Sequence, residues 1–417
     1  MRILVVSQYF WPETFRVNEV VSEMVARGHE VTVLTGRPNY PGGRVFGDYR
    51  RRPADFGRYA GAEVLRVPLR PRARGRLGLV LNYCSFVFWA TLLGPWLLRG
   101  RSFDAIFVFQ TSPITSVLPA LLLRRIKRAP LLLWVLDLWP ETLSAVGAVR
   151  SPWMLRLVGS MVSFIYRRCD RILVQSKAFV ADVERWSGDA SRIRYFPAWA
   201  ESVFDVDPQS VRRAPELAPY HQGFNLMFAG NIGEAQDFPA ILDAAERLRE
   251  HRDIRWLIVG DGRAADDVRA EIGRRKLEGQ VVMLGRHPIE RMPEFFRGAD
   301  ALLVSLKPEP IFAMVIPGKV QSYMASGLPL LGMLDGEGAQ VIEQAGAGYV
   351  CAAGDGRRLS ELVLRMARMP AEKRLAMGAD GRSYVRREFD RGTLITRLEG
   401  WLAEVIERPP VRSRAGP

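Results

Sequence analysis

The chain has 417 residues, of which 48% are hydrophobic and 25% are charged. This length and composition exclude a disordered polypeptide and predict two or three globular domains. The formal net charge of +14 favours anionic partners such as phosphate esters and lipid headgroups, although an arginine-rich codon usage would give the same excess. The cations form no nucleic-acid reader motif, so we expect no nucleic-acid partner.

The numbers and positions of cysteine and histidine argue against a disulfide-stabilised protein and against a metal-binding protein. Cys84, Cys169 and Cys351 are far apart and odd in number, which argues against a disulfide framework and fits a reducing compartment. The four histidines are scattered, so we predict no metal site. The chain opens with the strand-like MRILVV and not with a secretion signal, which favours a cytoplasmic location.

In the first half, apolar runs of strand length alternate with helical periods, which is typical of a doubly wound parallel sheet. We predict a helix over 16–27 that ends at Gly28. The predicted strands are 3–6, 31–35, 105–109, 131–136 and 172–174.

The stretch 77–98 contains no charged side chain and follows the basic run RPRARGR. Twenty-two such residues are long enough for a roughly 30 Å hydrocarbon layer. However, Asn82 and Pro95 interrupt the stretch, and a sheet strand resumes at 103–109. We therefore expect a buried or interface-lying helix, with segment 66–98 contacting the cytoplasmic membrane surface. A membrane span and a plain core helix are the alternatives.

The periodicity fails between 201 and 224, where three prolines and few apolar residues predict a linker over 206–223. A second strand series then predicts another α/β domain. Its strands are 226–229, 256–259, 281–284, 301–304 and 328–331.

Glycine turns follow three strands of this second series. FAGNIGEAQDF places Gly230, Asn231 and Gly233 between a strand and a helix that begins near Phe238. Close backbone approach and a helix N-terminus suit a diphosphate there, although such a turn is often only structural. VGDG, with Gly262, and LGRHP, with Arg286, repeat the arrangement.

A second cluster, IPGKVQSYMASGLP, starts a helix at Gly318 and Lys319 and ends it at Gly327. A lysine at a helix N-terminus opposes the helix dipole unless an anion lies there, so Lys319 is a candidate phosphate ligand or else an exposed loop lysine. After the next strand, DGEG forms a flexible acidic loop in which Glu337 can accept hydrogen bonds from sugar hydroxyls. A solvated turn is the alternative.

The first domain carries carboxylates near two strand ends. LDLWPE places Asp137 and Glu141 after a buried strand, where Asp137 either orients an acceptor hydroxyl and takes its proton or only caps the next helix. SQYFWPETF similarly presents Gln8, Pro12 and Glu13, and its aromatic residues either stack on a sugar or fill the core.

In their order and spacing, YFWPE, ARGHEVTVLT, RPNYPGG, LDLWPE, CDRILVQS, FAGNIGEAQD, VGDG and PGKVQSYMASGLPLLG resemble family-four retaining glycosyltransferases. The resemblance runs from residue 1 to about 406 and is greatest to the bacterial branch of O-antigen and capsule fucosamine transferases. It implies a GT-B fold, in which two Rossmann-like doubly wound parallel-sheet domains face each other across a cleft. The implied domains are 1–205 with a returning C-terminal helix at about 390–417, and 224–389.

The resemblance also implies a metal-independent, retaining transfer with no cofactor beyond the nucleotide-sugar donor, which we expect to be UDP-linked. The implied acceptor is a polyprenyl-diphosphate-linked sugar at the inner membrane. The donor-side residues are Gly230, Asn231, Gly233, Gly262, Arg286, Gly318, Lys319, Ser322 and Glu337. The acceptor-side residues are Gln8, Pro12, Glu13, Asn39 and Tyr40, and the expected catalytic residues are Asp137, Glu141 and Lys319.

The sequence departs from the family pattern at several of these positions. Met314 and Ser322 stand where many members carry two glutamates, the second of which binds the donor ribose. Glu234 or Gln236 replaces a usual basic residue, and Asp137 replaces a histidine. We interpret the changes as altered donor recognition, in which Glu337 substitutes for the ribose contact. A sugar-nucleotide epimerase and a non-catalytic scaffold are the alternative functions.

Overall fold

The structure is a computed structural model that describes residues 1–72, 76–145, 149, 151–204, 206 and 210–407, apart from the side chains of 76, 77 and 145. The chain divides into two compact units. The first comprises Met1–Pro197 and the segment from Gly392 onward, and the second comprises Ala198–Arg391.

The first unit is built on an eight-stranded sheet. Its strands are β1 (Arg2–Val6), β2 (Glu30–Gly36), β3 (Arg58–Tyr59), β4 (Ala62–Val67), β5 (Ala105–Gln110), β6 (Leu131–Val135), β7 (Arg171–Val174) and β8 (Ile193–Tyr195). They lie in the order β3-β4-β2-β1-β5-β6-β7-β8, and only the β3–β4 pair is antiparallel. Strands such as β5 and β6 are buried along their whole length, as expected of a parallel sheet covered on both faces.

In the described part of the first unit, seven α-helices connect these strands. They are α1 (Arg16–Ala26), α2 (Gly47–Arg51), α3 (Arg76–Leu97), α4 (Leu118–Lys127), α5 (Glu141–Ala145), α6 (Pro152–Tyr166) and α7 (Phe179–Ser187). The connections β4 to β5, β5 to β6 and β6 to β7 advance in the same direction across the sheet. Because such crossovers are right-handed, α3, α4 and α6 cover one face, and α1 covers the other.

The second unit contains a six-stranded parallel sheet in the order β11-β10-β9-β12-β13-β14. Its strands are β9 (Phe224–Ala229), β10 (Ile254–Val259), β11 (Val281–Gly285), β12 (Ala301–Ser305), β13 (Leu330–Met333) and β14 (Gly348–Cys351). Its helices are α8 (Phe238–Arg247), α9 (Ala265–Arg274), α10 (Met292–Phe296), α11 (Pro310–Ala313), α12 (Gly318–Ser326), α13 (Glu337–Gln344), α14 (Gly356–Ala367) and α15 (Ala371–Glu388). Apolar clusters cover both faces of the sheet, so the unit has its own core.

The last helix, α16 (Arg391–Glu407), packs on the first unit. The Glu399 carboxylate lies 2.6 Å from both Arg27 Nη1 and His29 Nε2. Farther along the helix, Glu404 pairs with the buried Arg171 at 2.9 Å. These ion pairs attach α16 to the first unit.

The doubly wound fold class is confirmed, because both units are parallel sheets with helices on their faces. The division between the units differs from the predicted boundary at 205, because residues 198–204 belong to the second unit. The predicted linker also belongs to that unit: Leu217 is buried in its core, and the Ala214 amide donates to Glu294 O at 3.0 Å. Residues 408–417 of the predicted returning helix lie outside the described residues.

Candidate active site

Three strand-end turns lie side by side at the carboxyl edge of the second sheet. The Gly230 amide donates to Val259 O at 2.8 Å, and the Gly260 amide donates to Gly285 O at 2.7 Å. The Ile232 amide likewise donates to Asp261 O at 2.9 Å. The turns after β9, β10 and β11 therefore form one hydrogen-bonded surface, which the strand order requires because these strands are neighbours.

Glycine is required where these turns touch. Gly260 has φ +149°, and a Cβ added there would lie 1.9 Å from Gly230 O. A Cβ on Gly262 would lie 2.3 Å from Ile232 O. A side chain at either position would separate the turns, so the glycines have a structural purpose apart from any ligand.

The amides of this surface are not equally available. Those of Gly230 and Ile232 are bonded to the neighbouring turn, whereas those of Asn231 and Gly233 have no acceptor among the described residues. The Asn231 side chain is exposed beside them. Helix α8 begins a few residues later, after Asp237 in a left-handed conformation with φ 50°. An anion at this edge can therefore accept hydrogen bonds from Asn231 and Gly233.

Lys319, in the first turn of α12, reaches across to the same turn. Its Nζ donates to Gln236 Oε1 at 2.5 Å and lies 3.7 Å from the centroid of the Phe228 ring. A Cβ on Gly230 would lie 2.7 Å from Lys319 Cε, so this glycine leaves room for the lysine stem. Burial lowers the pKa of Lys319 to about 7. An anion placed here would restore the charged form.

Tyr323, one helical turn after Lys319, holds α12 against the end of β9. Its buried hydroxyl donates to Ala229 O at 2.7 Å and accepts from the Ala229 amide at 2.8 Å. Because residues four apart lie on the same face of a helix, this contact fixes where Lys319 points.

A carboxylate lies beside Ser322 on the same helix. Ser322 Oγ is 2.5 Å from Glu201 Oε2 and 2.9 Å from Gly318 O. Gln321 donates to Ala198 O at 2.9 Å, which fixes the segment that carries Glu201. Ser322 therefore has a glutamate carboxylate within hydrogen-bonding distance.

The DGEG segment is not the flexible loop that we expected. Glu337 begins α13, and Gly336, with φ 69°, packs so closely that a Cβ would lie 1.9 Å from Ala313 O. Gly338 packs against Pro317, which precedes α12. Gly336 thus permits contact with the last residue of α11, and Gly338 permits contact with the N-terminus of α12, so the segment is ordered by packing.

The carboxylate of Glu13 is buried in the first unit and organises two loops. Its Oε1 accepts from the amides of Asn39 and Tyr40 at 2.7 and 2.6 Å, and its Oε2 accepts from the Phe10 amide at 3.1 Å. Burial raises the pKa of Glu13, and these hydrogen bonds oppose that shift. Glu13 therefore positions the loops through their backbones, while Pro12 and Tyr40 are only partly buried at the same edge.

Asn82 of α3 joins this network. Its Oδ1 accepts from Gln8 Nε2 at 2.9 Å and from the Tyr9 hydroxyl at 3.0 Å, and its Nδ2 donates to Arg70 O at 2.6 Å. The Gln8 Oε1 atom is buried and has no hydrogen-bond partner among the described residues. The polar residue that interrupts the apolar stretch therefore attaches α3 to the carboxyl edge of the first sheet.

Asp137 and Glu141 have different surroundings. Asp137 accepts from Thr142 Oγ1 at 2.6 Å and from Trp139 Nε1 at 3.3 Å. Burial raises the pKa of the Tyr83 phenol on α3, and the negative charge of Asp137 adds a smaller contribution in the same direction. Glu141 instead pairs with Arg185 on α7. Asp137 therefore has both local hydrogen bonds and electrostatic contact with α3, and Glu141 is held toward α7.

Two family models match the chain. The model described as "Glycosyl transferase 4-like domain" covers residues 14–199, and that described as "Glycosyl transferases group 1" covers residues 223–369. Together they account for most of the chain and for both units. The chain belongs to the family-four GT-B glycosyltransferases.

Curated relatives and solved structures agree with this assignment. The glycosyltransferase WbjE of Pseudomonas aeruginosa is 27% identical over 69% of this chain and 70% of its own. The colanic acid biosynthesis glycosyl transferase WcaI of Escherichia coli (strain K12) is 25% identical over 78% of this chain and 82% of its own. The crystal structure of Anabaena HepE with UDP and glucose superposes with a TM-score of 0.65 at 16% identity, covering 97% and 99% of the two chains.

In this glycosyltransferase, the structure brings Gly230, Gly233, Gly262 and Lys319 to one edge of the second sheet. Arg286 is exposed after β11 and has no recorded partner among the described residues. Sequence reasoning missed Glu201 as a neighbour of Ser322, and it missed the hydrogen bond from Lys319 to Gln236. No local motif marks either pair, because the partners are 121 and 83 residues apart.

In segment 66–98 of the glycosyltransferase, one of the predicted basic residues is not on the surface. Arg66 lies in β4, where it donates to Gly36 O at 3.0 Å, and burial lowers its pKa to about 10. It is therefore unavailable to a lipid headgroup, and residues 73–75 lie outside the described residues. Within α3, Gly78–Leu97 is long and apolar enough to cross a membrane by length and composition, and 22% of its most apolar stretch is buried.

The described part of the glycosyltransferase contains no group of three or more His, Cys, Asp and Glu side chains that could hold a metal ion.

Proposed function

We propose that this glycosyltransferase moves a sugar, with retention of anomeric configuration and without a metal, from a UDP-sugar to a polyprenyl-diphosphate-linked acceptor. The donor sugar that we favour is an N-acetylated deoxyhexosamine. The setting that we propose is the cytoplasmic face of the inner membrane, in the assembly of O-antigen, capsule or exopolysaccharide. The UDP complex of HepE and the colanic acid role in the name of WcaI support the donor class and the setting.

The observation that carries the proposal is the position of Lys319 against the Gly230 turn, beside the unpaired Asn231 and Gly233 amides. When the bond between the anomeric carbon and the phosphate oxygen breaks, the diphosphate leaves with the electron pair. Fixed amide dipoles and one ammonium group stabilise that charge without reorganising, which is usually the largest contribution to such catalysis. Gly318 adds the open N-terminus of α12.

Other residues take proposed roles in recognition. Glu201, whose Oε2 atom accepts from Ser322 Oγ, would add a second carboxylate beside α12, and Glu337 at the start of α13 keeps its proposed role as a substitute for the ribose contact. Gly262 and Arg286 would border the nucleotide base. On the acceptor side, Asp137 would accept the proton of the attacking hydroxyl, and Gln8 belongs to the hydrogen-bonded loops that would border the acceptor sugar.

A donor and acceptor panel tests this function. Purified protein is incubated with a polyprenyl-diphosphate sugar and each of several UDP- and GDP-sugars, with and without EDTA, and the lipid product is identified by mass and its anomeric configuration by NMR. We expect one UDP-sugar to give a retained product in both conditions. Donor conversion without acceptor would instead indicate an epimerase, and failure to bind any nucleotide sugar would indicate a scaffold.

The membrane contact has a separate test. Cys84 is the exposed cysteine of α3, whereas Cys169 and Cys351 are buried, so an environment-sensitive dye will label Cys84 selectively. We expect dye fluorescence to rise with vesicles containing anionic phospholipid. An unchanged signal at saturating lipid would contradict insertion of α3. The proposed transfer from a UDP-sugar does not depend on this result.

A further inference from the structure

Helix α6 exposes an apolar stripe that no described element covers. Trp153 and Leu157 are each 64% exposed and Phe164 is 47% exposed, and Met154 lies beside them. With Ser160 between them, these positions follow helical spacing along one side. The opposite side is packed, because a Cβ on Gly159 would lie 2.4 Å from the Trp186 ring of α7. The stripe is therefore the outward side of a helix that is anchored to its unit.

The charged residues of the chain segment that carries this stripe are all basic. The sequence contains no acidic residue from 142 to 169 but has arginines at 150, 156, 167 and 168. Of the described residues, none forms an ion pair with Arg156, Arg167 or Arg168. The Arg168 guanidinium lies 3.6 Å from the centroid of the Phe164 ring. Aromatic, aliphatic and unpaired cationic side chains together match the interface of an anionic bilayer, where rings lie at headgroup depth and arginines bind phosphates.

Helix α3 presents a second stripe of the same kind. Its exposed residues recur every fourth position, at 80, 84, 88, 92 and 96, and Arg99 lies 5.9 Å from the centroid of the Trp96 ring. The right-handed crossovers place α3 and α6 on the same face of the sheet, with the basic α4 between them. Both stripes therefore face away from the sheet in the same direction.

We propose that α6 is a second membrane-binding helix, which lies with α3 in the headgroup region of a bilayer rich in anionic phospholipid. This surface extends the contact proposed for segment 66–98. It does not depend on the identity of the transferred sugar, because vesicle binding is measured without substrate.

Labelled cysteine variants test the α6 surface directly. In a Cys84→Ser background, Leu157→Cys carries the dye on α6, and Leu375→Cys carries it on the second unit at a leucine that is similarly exposed, at 62%. Each is titrated with vesicles of phosphatidylcholine alone and with 30% phosphatidylglycerol. We expect fluorescence to rise for the Leu157→Cys label with the anionic vesicles only, and doxyl-labelled lipids to quench it. No change for this label would overturn the proposal.

Substitutions then measure how much α6 contributes. Trp153→Ser with Leu157→Ser should lower the vesicle partition coefficient by about tenfold or more, and Arg156→Gln with Arg168→Gln should lower it by roughly fivefold per arginine at low salt. Leu375→Ser is the matched control and should leave binding unchanged. UDP binding and thermal melting report that the variants are folded.

Two outcomes would contradict the role of α6. If the α6 variants bind vesicles as tightly as the unsubstituted protein while the label on Cys84 still responds, α3 binds the membrane without α6. If light scattering shows a dimer that Trp153→Ser with Leu157→Ser dissociates, the stripe binds a second copy of the chain instead of lipid. UDP-sugar turnover on a water-soluble acceptor is independent of both outcomes, so it tests the proposed transfer separately.

Discussion

The candidate residues of the two units are held together in different ways. In the second unit, backbone turns meet directly, and glycine is required because neighbouring carbonyl oxygens occupy the space of a side chain. In the first unit, the side chains of Glu13 and Asn82 connect the loops, and their polar atoms are largely used in doing so. The second unit therefore leaves amides and one lysine available to a ligand, whereas many predicted acceptor residues of the first unit have structural hydrogen bonds.

The largest effect should come from the glycine contact. Gly260→Ala places a Cβ against Gly230 O at φ +149°, and both backbone strain and overpacking oppose it. We expect the free energy of unfolding of the second unit to fall by about 4 kcal/mol and UDP binding to be lost. Denaturant unfolding and calorimetry measure the two effects. Gly279→Ala is the control, because its Cβ would meet nothing within 4 Å.

Removing the lysine should affect catalysis and not folding. Lys319→Ala is expected to lower turnover about 100-fold, the usual result of deleting one group that stabilises developing negative charge. Steady-state kinetics and thermal melting check this, and Lys373→Ala, an exposed lysine of the same unit, is the control. Wild-type turnover in Lys319→Ala would remove Lys319 from the site.

Disrupting the hydrogen bonds of Glu13 in the first unit should, in contrast to Lys319→Ala, lower the stability of the protein. In Glu13→Gln, either orientation of the amide directs its NH2 group at a backbone N–H, because both carboxylate oxygens accept such bonds. We expect the first unit to lose about 2 kcal/mol of unfolding free energy, with UDP binding unchanged. The exposed Glu30→Gln is the control. A stable but inactive Glu13→Gln protein would show instead that Glu13 acts on the acceptor.

Binding of the donor should depend on pH through Lys319. Its pKa of about 7 in the free protein means that the amine is mostly neutral above pH 7, and a bound diphosphate favours the ammonium form. Binding at pH 8 should therefore take up a proton, and affinity should fall by up to about tenfold per pH unit as pH rises from 7 to 9. Calorimetry in two buffers with different ionisation enthalpies measures the uptake. Lys319→Arg, which stays charged, should abolish this pH dependence.

Asp137→Asn should have a small effect on both stability and turnover. The asparagine keeps one acceptor for Thr142 or Trp139, so we expect a loss of about 1 kcal/mol. Turnover should fall severalfold with UDP-sugar affinity unchanged, because the substitution removes the proposed proton acceptor. Turnover equal to that of the unsubstituted protein would show that Asp137 only accepts the local hydrogen bonds of Thr142 and Trp139 and does not take the proton.

Much of the fold followed from local patterns. The structure agrees with the strands that we predicted, with the helix that Gly28 ends and with the helix from Gly318 to Ser326. These features could be predicted because burial on both faces of a sheet and the conformations of glycine depend on a few neighbouring residues. The strands β3, β4, β8 and β14 were missed. β3, β8 and β14 are edge strands of two to four residues, which carry little periodicity, and β4 mixes apolar residues with Glu63 and Arg66. The DGEG segment was misjudged because its order comes from packing on Ala313.

The sequence by itself determined the fold class, the glycine turns and the apolar character of α3. Only the tertiary structure decided which amides are free, that Lys319 lies on Phe228 and Gln236, that Glu201 lies at Ser322, and that α6 faces outward with α3. The physical reason is distance along the chain. Turn and helix preferences act within a few residues, whereas these contacts join residues that only the strand order brings together.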